Sequence, residues 1–468
     1  MLDKEVFVAT MKVLSRRLRS METPLKTFYI ESLGCAKNQV DSEILAGRLA
    51  LDGWTRTDDP DSAALILVNT CGFINSAKQE SLETVFALRN RAPHARIVVC
   101  GCLAQRYASD LLEDLPEADG IFGNRDLGQI TSFVSKLDGG RQLLVPPYPA
   151  DKSADFCARM SLAEWPGSAY LKISEGCSHH CRYCAIPLIR GELRSRPMHS
   201  ILDEARKLAD SGIREINVIA QDLAAYGTDE TPGGRFLELL SGLAAIPGDF
   251  VIRLLYIHPD AFPEGLLQLI KDNPKILPYF DIPIQHASVK VLRAMGRTGD
   301  ADTYFNLVSR IRAALPDAVI RTTMMLGFLN EDEQAFEELC DFIRRCRFDW
   351  MGSFVYSREE DTPAYPLRTE QEQQEIEKLA ARRQKKLERI QQKITSERLG
   401  RFVGRQFDVL IEEVFEGQDL AVGRIYSQAP EVDGQTVVIG TGMVSGQVYR
   451  CGIRKVAGID LSAVKIDE

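Results

Sequence analysis

Residues 170–184 read Tyr-Leu-Lys-Ile-Ser-Glu-Gly-Cys-Ser-His-His-Cys-Arg-Tyr-Cys. The first four residues form an apolar β-type run, and Cys177, Cys181 and Cys184 follow it at CxxxCxxC spacing. Ligating side chains just past a strand are the pattern of barrel enzymes, which build their sites at the carboxyl ends of parallel strands. Further strand candidates recur at 215–219, 251–256, 279–284, 319–325 and 352–355, separated by helical stretches such as 200–209, 236–245 and 332–346. Six β-α units in one row predict a TIM-like (β/α) barrel, and periodicity leaves six and eight strands both open.

Upstream, apolar runs at 27–30, 64–68, 97–100 and 120–122 alternate with helix-like segments. They predict an α/β domain around a parallel sheet of at least four strands. Downstream, residues 370–396 are rich in Glu, Gln, Lys and Arg and lack Gly and Pro, which predicts one long solvated helix. The tail, 402–466, carries β-type runs at 407–411, 421–425, 435–439 and 447–453 punctuated by glycine. It predicts a small antiparallel β-barrel of oligonucleotide-binding type.

Composition bounds the function. The 468 residues carry a net charge of −9, with 45% apolar and 26% charged side chains. This is globular composition and excludes a disordered or collagen-like chain. No run of about 18 apolar residues predicts a membrane helix, and residues 1–25 lack the apolar core of a secretion signal. A cytoplasmic location is expected. There, eleven cysteines favour metal ligation or redox chemistry over disulfides.

A [4Fe–4S] cluster takes one thiolate per iron, so Cys177, Cys181 and Cys184 would leave one iron open. A zinc site is the alternative, with His179 or His180 as a fourth ligand. Cys35, Cys71 and Cys102 each sit beside a glycine, just past the first, second and third predicted strands of the N-terminal sheet. In an open parallel sheet ligands gather outside the carboxyl ends of strands, so these thiols predict a second three-thiolate site. Cys100 is the rival to Cys102, but its place inside an apolar run suits burial. Cys157, Cys340, Cys346 and Cys451 have no partner spacing and are expected to serve packing or surface.

The CxxxCxxC element resembles the signature of the radical S-adenosylmethionine (SAM) enzymes. That resemblance implies SAM bound at the open iron of the cluster, one-electron cleavage to a 5′-deoxyadenosyl radical, and Tyr183 beside the adenine. The chain as a whole, from about residue 26 to 460, resembles the methylthiotransferases. The matching motifs include Ser-Leu-Gly-Cys-Ala-Lys-Asn-Gln-Val-Asp-Ser-Glu at 32–43, Val-Asn-Thr-Cys-Gly-Phe-Ile at 68–74 and Gly-Cys-Leu-Ala-Gln-Arg-Tyr at 101–107. Arg-Gly-Glu-Leu-Arg-Ser-Arg-Pro at 190–197 and Tyr-Ser-Arg-Glu-Glu at 356–360 add to these.

The stretch 73–80 and the tail segment 423–434 look like the RimO branch, which modifies an aspartate of protein 12 of the small ribosomal subunit. The sister MiaB branch modifies an adenosine of tRNA and is the alternative. The implied layout is an extension at 1–24, an N-terminal cluster domain at 25–145 and a linker at 146–168. A radical SAM domain with its long helix follows at 169–398, and a TRAM domain at 399–468. Three positions depart from the family pattern. Leu329 and Asn330, in Gly-Phe-Leu-Asn-Glu at 327–331, stand where Pro-Gly is more usual, and Asp361, before Thr362-Pro363, stands where glycine is usual.

The resemblance implies two [4Fe–4S] clusters with SAM, held at Cys177, Cys181 and Cys184 and at Cys35, Cys71 and Cys102. The second would carry the sulfur, which a first SAM methylates, while another SAM provides the radical. An electron donor such as flavodoxin or ferredoxin and a sulfur donor are implied partners. Polar residues near strand ends, Gln221 with Asp222, Arg253, and Gln285 with His286, are candidate SAM contacts or ordinary barrel polarity. His258 reads as structural, and Arg321 as a candidate partner of a substrate carboxylate. Residues 400–468 hold ten acidic and seven basic side chains, a balance that disfavours RNA.

Overall fold

The computed structural model describes residues 26–152, 159–160 and 166–466. The 1–24 extension and Cys157 lie outside the described residues. The chain divides into two compact units.

The first unit, within residues 26–149, is built on a sheet of six strands: β1 (Thr27–Ser32), β2 (Thr55–Arg56), β3 (Leu65–Thr70), β4 (Arg96–Gly101), β5 (Gly120–Phe122) and β6 (Gln142–Leu144). All pairings are parallel, in the order β2-β1-β3-β4-β5-β6. Central β3 is buried at every position, and so its sequence runs apolar without alternation. The flanking strands β2 and β6 hold only two and three residues, too few for a periodic signal.

The second unit begins with β7 (Ser168–Lys172) and a short ladder of β8 (Ser174–Glu175) with β9 (Arg194–Ser195). It continues with β10 (Glu215–Ile219), β11 (Val251–Leu255), β12 (Ile276–Asp281), β13 (Val319–Leu326) and β14 (Trp350–Val355). Strands β7 and β10–β14 form a parallel sheet in the order β14-β13-β12-β11-β10-β7. This is a TIM-like half-closed barrel of six strands, with β7 and β14 as unpaired edges. β12 begins at Ile276, three residues before the expected start. It ends at Asp281 because Pro283 has no N–H to give the ladder.

Alternation divides this sheet into two faces. Leu171, Ile216, Val218, Ile252 and Leu254 form a core with Ile201, Leu239, Leu240 and Leu243 of the covering helices. Tyr170, Glu215, Arg253, Tyr279, Asp281 and Arg321 occupy the opposite set of positions and line the concave face. The helix Glu370–Leu399 opens with a capping box at Thr369 and Glu372. It is less solvated than expected: Ala380, Leu387 and Ile394, seven residues apart, are buried on one face.

The chain ends in a closed barrel of β15 (Gln406–Val414), β16 (Leu420–Arg424), β17 (Thr436–Ile439), β18 (Val448–Ala457) and β19 (Asp460–Lys465). β19 is an addition to the strands expected from sequence. No helix among the described residues is long and apolar enough to cross a membrane.

Candidate active site

In the first unit, Cys35, Cys71 and Cys102 follow β1, β3 and β4. These strands are neighbours in the sheet. With strands about 4.8 Å apart, the three strand ends fall within roughly 10 Å. The approach is close enough to require glycine: a Cβ on Gly34 would lie 2.9 Å from Cys71 Cβ and 3.4 Å from its Sγ. Asn38 fastens the three loops together. Its Nδ2 donates to Leu33 O at 2.9 Å and Thr70 O at 3.0 Å, and its Oδ1 accepts from Cys102 Sγ at 3.4 Å. Asn124 Nδ2 also reaches Cys102 Sγ, at 3.6 Å. Cys100 is fully buried, donates to Val68 O at 3.5 Å, and burial pushes its thiol far above the usual range.

In the second unit, Cys177, Cys181 and Cys184 occupy the loop between β8 and the helix Ile186–Arg190. Gly176 starts that loop at φ +72°, where a Cβ would lie 2.0 Å from Glu192 O, so only glycine fits. The buried cation Arg190 donates to Glu175 at 2.9 and 3.1 Å, and Lys172 donates to the same carboxylate. Burial pushes the Glu175 carboxyl up, but Arg190 and Lys172 outweigh it and hold the group at about 2. Burial raises the Cys177 thiol to about 11 and the Cys184 thiol to about 12, against the pull of Arg297. Arg297, only 6% exposed, donates to Pro283 O at 2.8 Å and to Tyr183 OH at 3.2 Å.

Tyr183 packs edge-on to Phe328 with ring centroids 6.0 Å apart. Gln221 lies two residues beyond β10, and Gln285, beyond β12, pairs with Met324 of β13. Each has a buried Oε1 with no hydrogen-bond partner among the described residues. Gln285 also holds φ +74°, the kind of local strain that clusters at ligand sites. These residues share the carboxyl end of the sheet with the three thiols.

Arg253 is a correction. It lies within β11, 1% exposed, and its guanidinium is fully engaged away from that end. Nε and Nη2 meet Glu215 Oε1 at 2.8 and 2.7 Å, Nη1 donates to Tyr426 O at 2.7 Å, and the group covers the Tyr279 ring at 4.6 Å. An acidic partner at the amino end of β10 captures it before a ligand at the carboxyl end can. Arg321 is likewise held, donating to Asp281 at 3.2 Å with Asp433 at 3.4 Å.

The donor chemistry fits iron–sulfur clusters and SAM. Three thiols, one per iron, are what a cluster with one open iron takes. The orphaned amide oxygens of Gln221 and Gln285 suit the ammonium and hydroxyl donors that SAM carries. Asn38, Asn124 and Arg297 escape a reading of the sequence. Asn38 stands three residues after Cys35 in a quoted motif, whereas nothing local marks Arg297.

Three family models match the chain: the uncharacterized protein family UPF0004 at residues 27–123, the radical SAM superfamily at 171–343 and the TRAM domain at 403–466. Among solved structures, the radical SAM methyltransferase TsrM from Kitasatospora setae shares the fold at TM-score 0.55 and 15% identity, over 74% of this chain and 78% of that one. The ribosomal protein uS12 methylthiotransferase RimO of Treponema denticola is 40% identical over 92% of this chain and 99% of its own. Its counterpart in Geobacter sulfurreducens is 41% identical over 92% of this chain and 96% of its own. At this identity across nearly the whole length of both relatives, the chain belongs to the RimO family of radical SAM methylthiotransferases.

Proposed function

We propose that this chain adds a methylthio group to the β-carbon of an aspartate in ribosomal protein uS12. The observation that carries the reading is the pair of three-thiol sets, each at the carboxyl end of its own parallel sheet. Cys177, Cys181 and Cys184 would hold one [4Fe–4S] cluster, and Cys35, Cys71 and Cys102 a second that carries the sulfur. With SAM at the first cluster, the bound group supplies the radical chemistry that an unactivated C–H bond demands.

The chain's own residues bind and orient. Glu175, clamped by Lys172 and Arg190, fixes the cysteine loop to β7. Arg297 places a buried positive charge beside the thiols and so favours their ionised form. Gln221 and Gln285 offer acceptors to the SAM ammonium and hydroxyls, and Tyr183 offers an aromatic surface to its adenine. Asn38 orients the strand-end loops that carry Cys71 and Cys102.

The state of the terminal barrel's cations supports a protein substrate over tRNA. Arg401 pairs with Asp349, Arg405 with Asp317, Arg424 with Glu215 and Glu412, and Arg450 with Asp408. Phosphate contact needs available cations, and four of the seven basic residues in 400–468 are paired with carboxylates within the chain. A cytoplasmic location, a flavodoxin or ferredoxin as reductant, and a separate sulfur donor complete the reading.

Mass spectrometry of uS12 and tRNA from a strain lacking this gene tests it. We expect the methylthio group to vanish from the uS12 aspartate while tRNA keeps its own. Loss from tRNA alone would overturn the proposal.

A further inference from the structure

The amino-terminal end of the open sheet is filled by one connection of the terminal barrel, residues 425–434 between β16 and β17. Every strand of the sheet contributes a partner to this junction. Arg424, at its start, donates to Glu215 of β10 at 2.6 Å, and Arg253 of β11 donates to Tyr426 O at 2.7 Å. Tyr279 of β12 donates to Asp433 Oδ2 at 2.6 Å, and Arg321 of β13 lies 3.4 Å from Asp433 Oδ1. Trp350 of β14 donates to Ser427 O at 2.6 Å, and Tyr170 of β7 donates to Glu431 Oε1 at 3.0 Å.

The last two bonds involve the sheet's unpaired edges. Ser427 and Glu431 are four residues apart, a reach of at most roughly 14 Å. One short segment is therefore bonded to both edge strands, β14 and β7. Glu431 holds φ +67°, a conformation that residues other than glycine rarely adopt. Such strain persists only where the surroundings dictate it, as they do for a loop shaped to its seat.

We propose that residues 425–434 are a built-in seal: they close the open side of the sheet and form the floor of the reaction chamber. Ser427 and Glu431 are positioning residues that act through Trp350 and Tyr170. The inference rests on the methylthiotransferase reading, because a chamber for radical chemistry must exclude stray hydrogen donors carried in by solvent.

The test uses the full chain with Glu431→Ala, Glu431→Gln and Tyr170→Phe. The amide introduced by Glu431→Gln keeps an acceptor for Tyr170, so that variant serves as the rescue. Two quantities are read: amide hydrogen exchange over 168–172 and 350–355, and SAM consumed per methylthio product at unchanged iron content. In E431A and Y170F we expect edge-strand exchange to rise about fivefold, as for loss of one buried hydrogen bond. SAM consumed per product should rise about threefold as the radical takes hydrogen from C–H or S–H groups of the buffer and reductant instead of the substrate, with E431Q near the parent on both. Unchanged exchange in E431A and Y170F, or faster exchange with an unchanged SAM ratio, would overturn the seal. If the parent yields no methylthio product from uS12, the functional reading fails, while the exchange measurement still decides whether the segment closes the sheet.

Discussion

Asp222 Oδ2 lies 2.7 Å from Nε2 of His179, so the end of β10 is tied to the middle of the CxxxCxxC loop. The other oxygen of Asp222 accepts from the backbone N–H of Ala224 at 3.0 Å and of His258 at 3.1 Å. The His258 ring stacks on His179 at 4.1 Å. One buried carboxylate thus joins three segments around the thiols. Asp222→Ala should lower cluster affinity about 10–100-fold, the usual cost of losing an outer partner of a metal site. Asp222→Asn, which keeps an acceptor for the two backbone donors, should lose less. Iron titration and the electron paramagnetic resonance line shape of the reduced protein check this.

The ligand assignment predicts an iron count. Anaerobically reconstituted chain should hold about eight irons, and the triple substitution of Cys177, Cys181 and Cys184 by Ala about four. The same loss should follow from replacing Cys35, Cys71 and Cys102. An iron content that ignores either triple would disprove that set of ligands.

Glu175 makes the cysteine loop sensitive to acid. Its folded carboxyl is held at about 2, below the ordinary 4.5. The stability it contributes is therefore complete above about pH 4.5 and is lost as pH falls toward 2. Thermal unfolding followed from pH 6 to 3 should show a steeper decline for the parent than for Glu175→Gln, which starts lower.

Asn330 and Asp361 hold φ +66° and +61°, at the two positions where the family more often has glycine. Asn and Asp are the side chains that tolerate this region best. Asn330→Gly and Asp361→Gly should leave stability within about 0.5 kcal/mol, whereas the alanine variants should lose about 1 kcal/mol. Chemical denaturation of the four variants separates these outcomes.

The paired cations of the terminal barrel predict weak, shallowly salt-dependent association with tRNA. A protein touching 6–10 phosphates loses about 10³–10⁵ in affinity between 50 and 200 mM salt. This chain should lose less than about tenfold over that range, as measured by filter binding.

Much of this architecture is readable from sequence, for physical reasons that differ by element. Fully buried strands such as β3 announce themselves because both faces are apolar. The strand-end placement of Cys35, Cys71 and Cys102 follows from where apolar runs stop. β2 and β6 carry no period because they are too short, and in β19, Asp460-Leu-Ser-Ala-Val-Lys465, the inward alternation is only two residues long, Leu461 and Ala463. The burial of Ala380, Leu387 and Ile394 is hidden in a helix dominated by charge.

Within the site, pattern reading stops at the side chain's partner. Alternation places Arg253 on the concave face, but only the fold reveals that Glu215 and Tyr426 claim it. Arg297 is 120 residues from Cys177 in sequence yet shares its electrostatic surroundings. No local motif encodes such a contact, because it exists only after the loop 177–184 has packed on Met295.

The segment Ser427–Glu431 has a consequence for how the chain is born. It leaves the ribosome well after β7 and β14 have been made, because synthesis runs from the amino end at roughly 5–20 residues per second. For several seconds the nascent sheet exists with its two strand edges uncovered. Closure is therefore a timed event, completed only once residue 431 has followed β14 out of the ribosome. Any truncation short of residue 431 would leave a chain whose edges invite pairing with another copy.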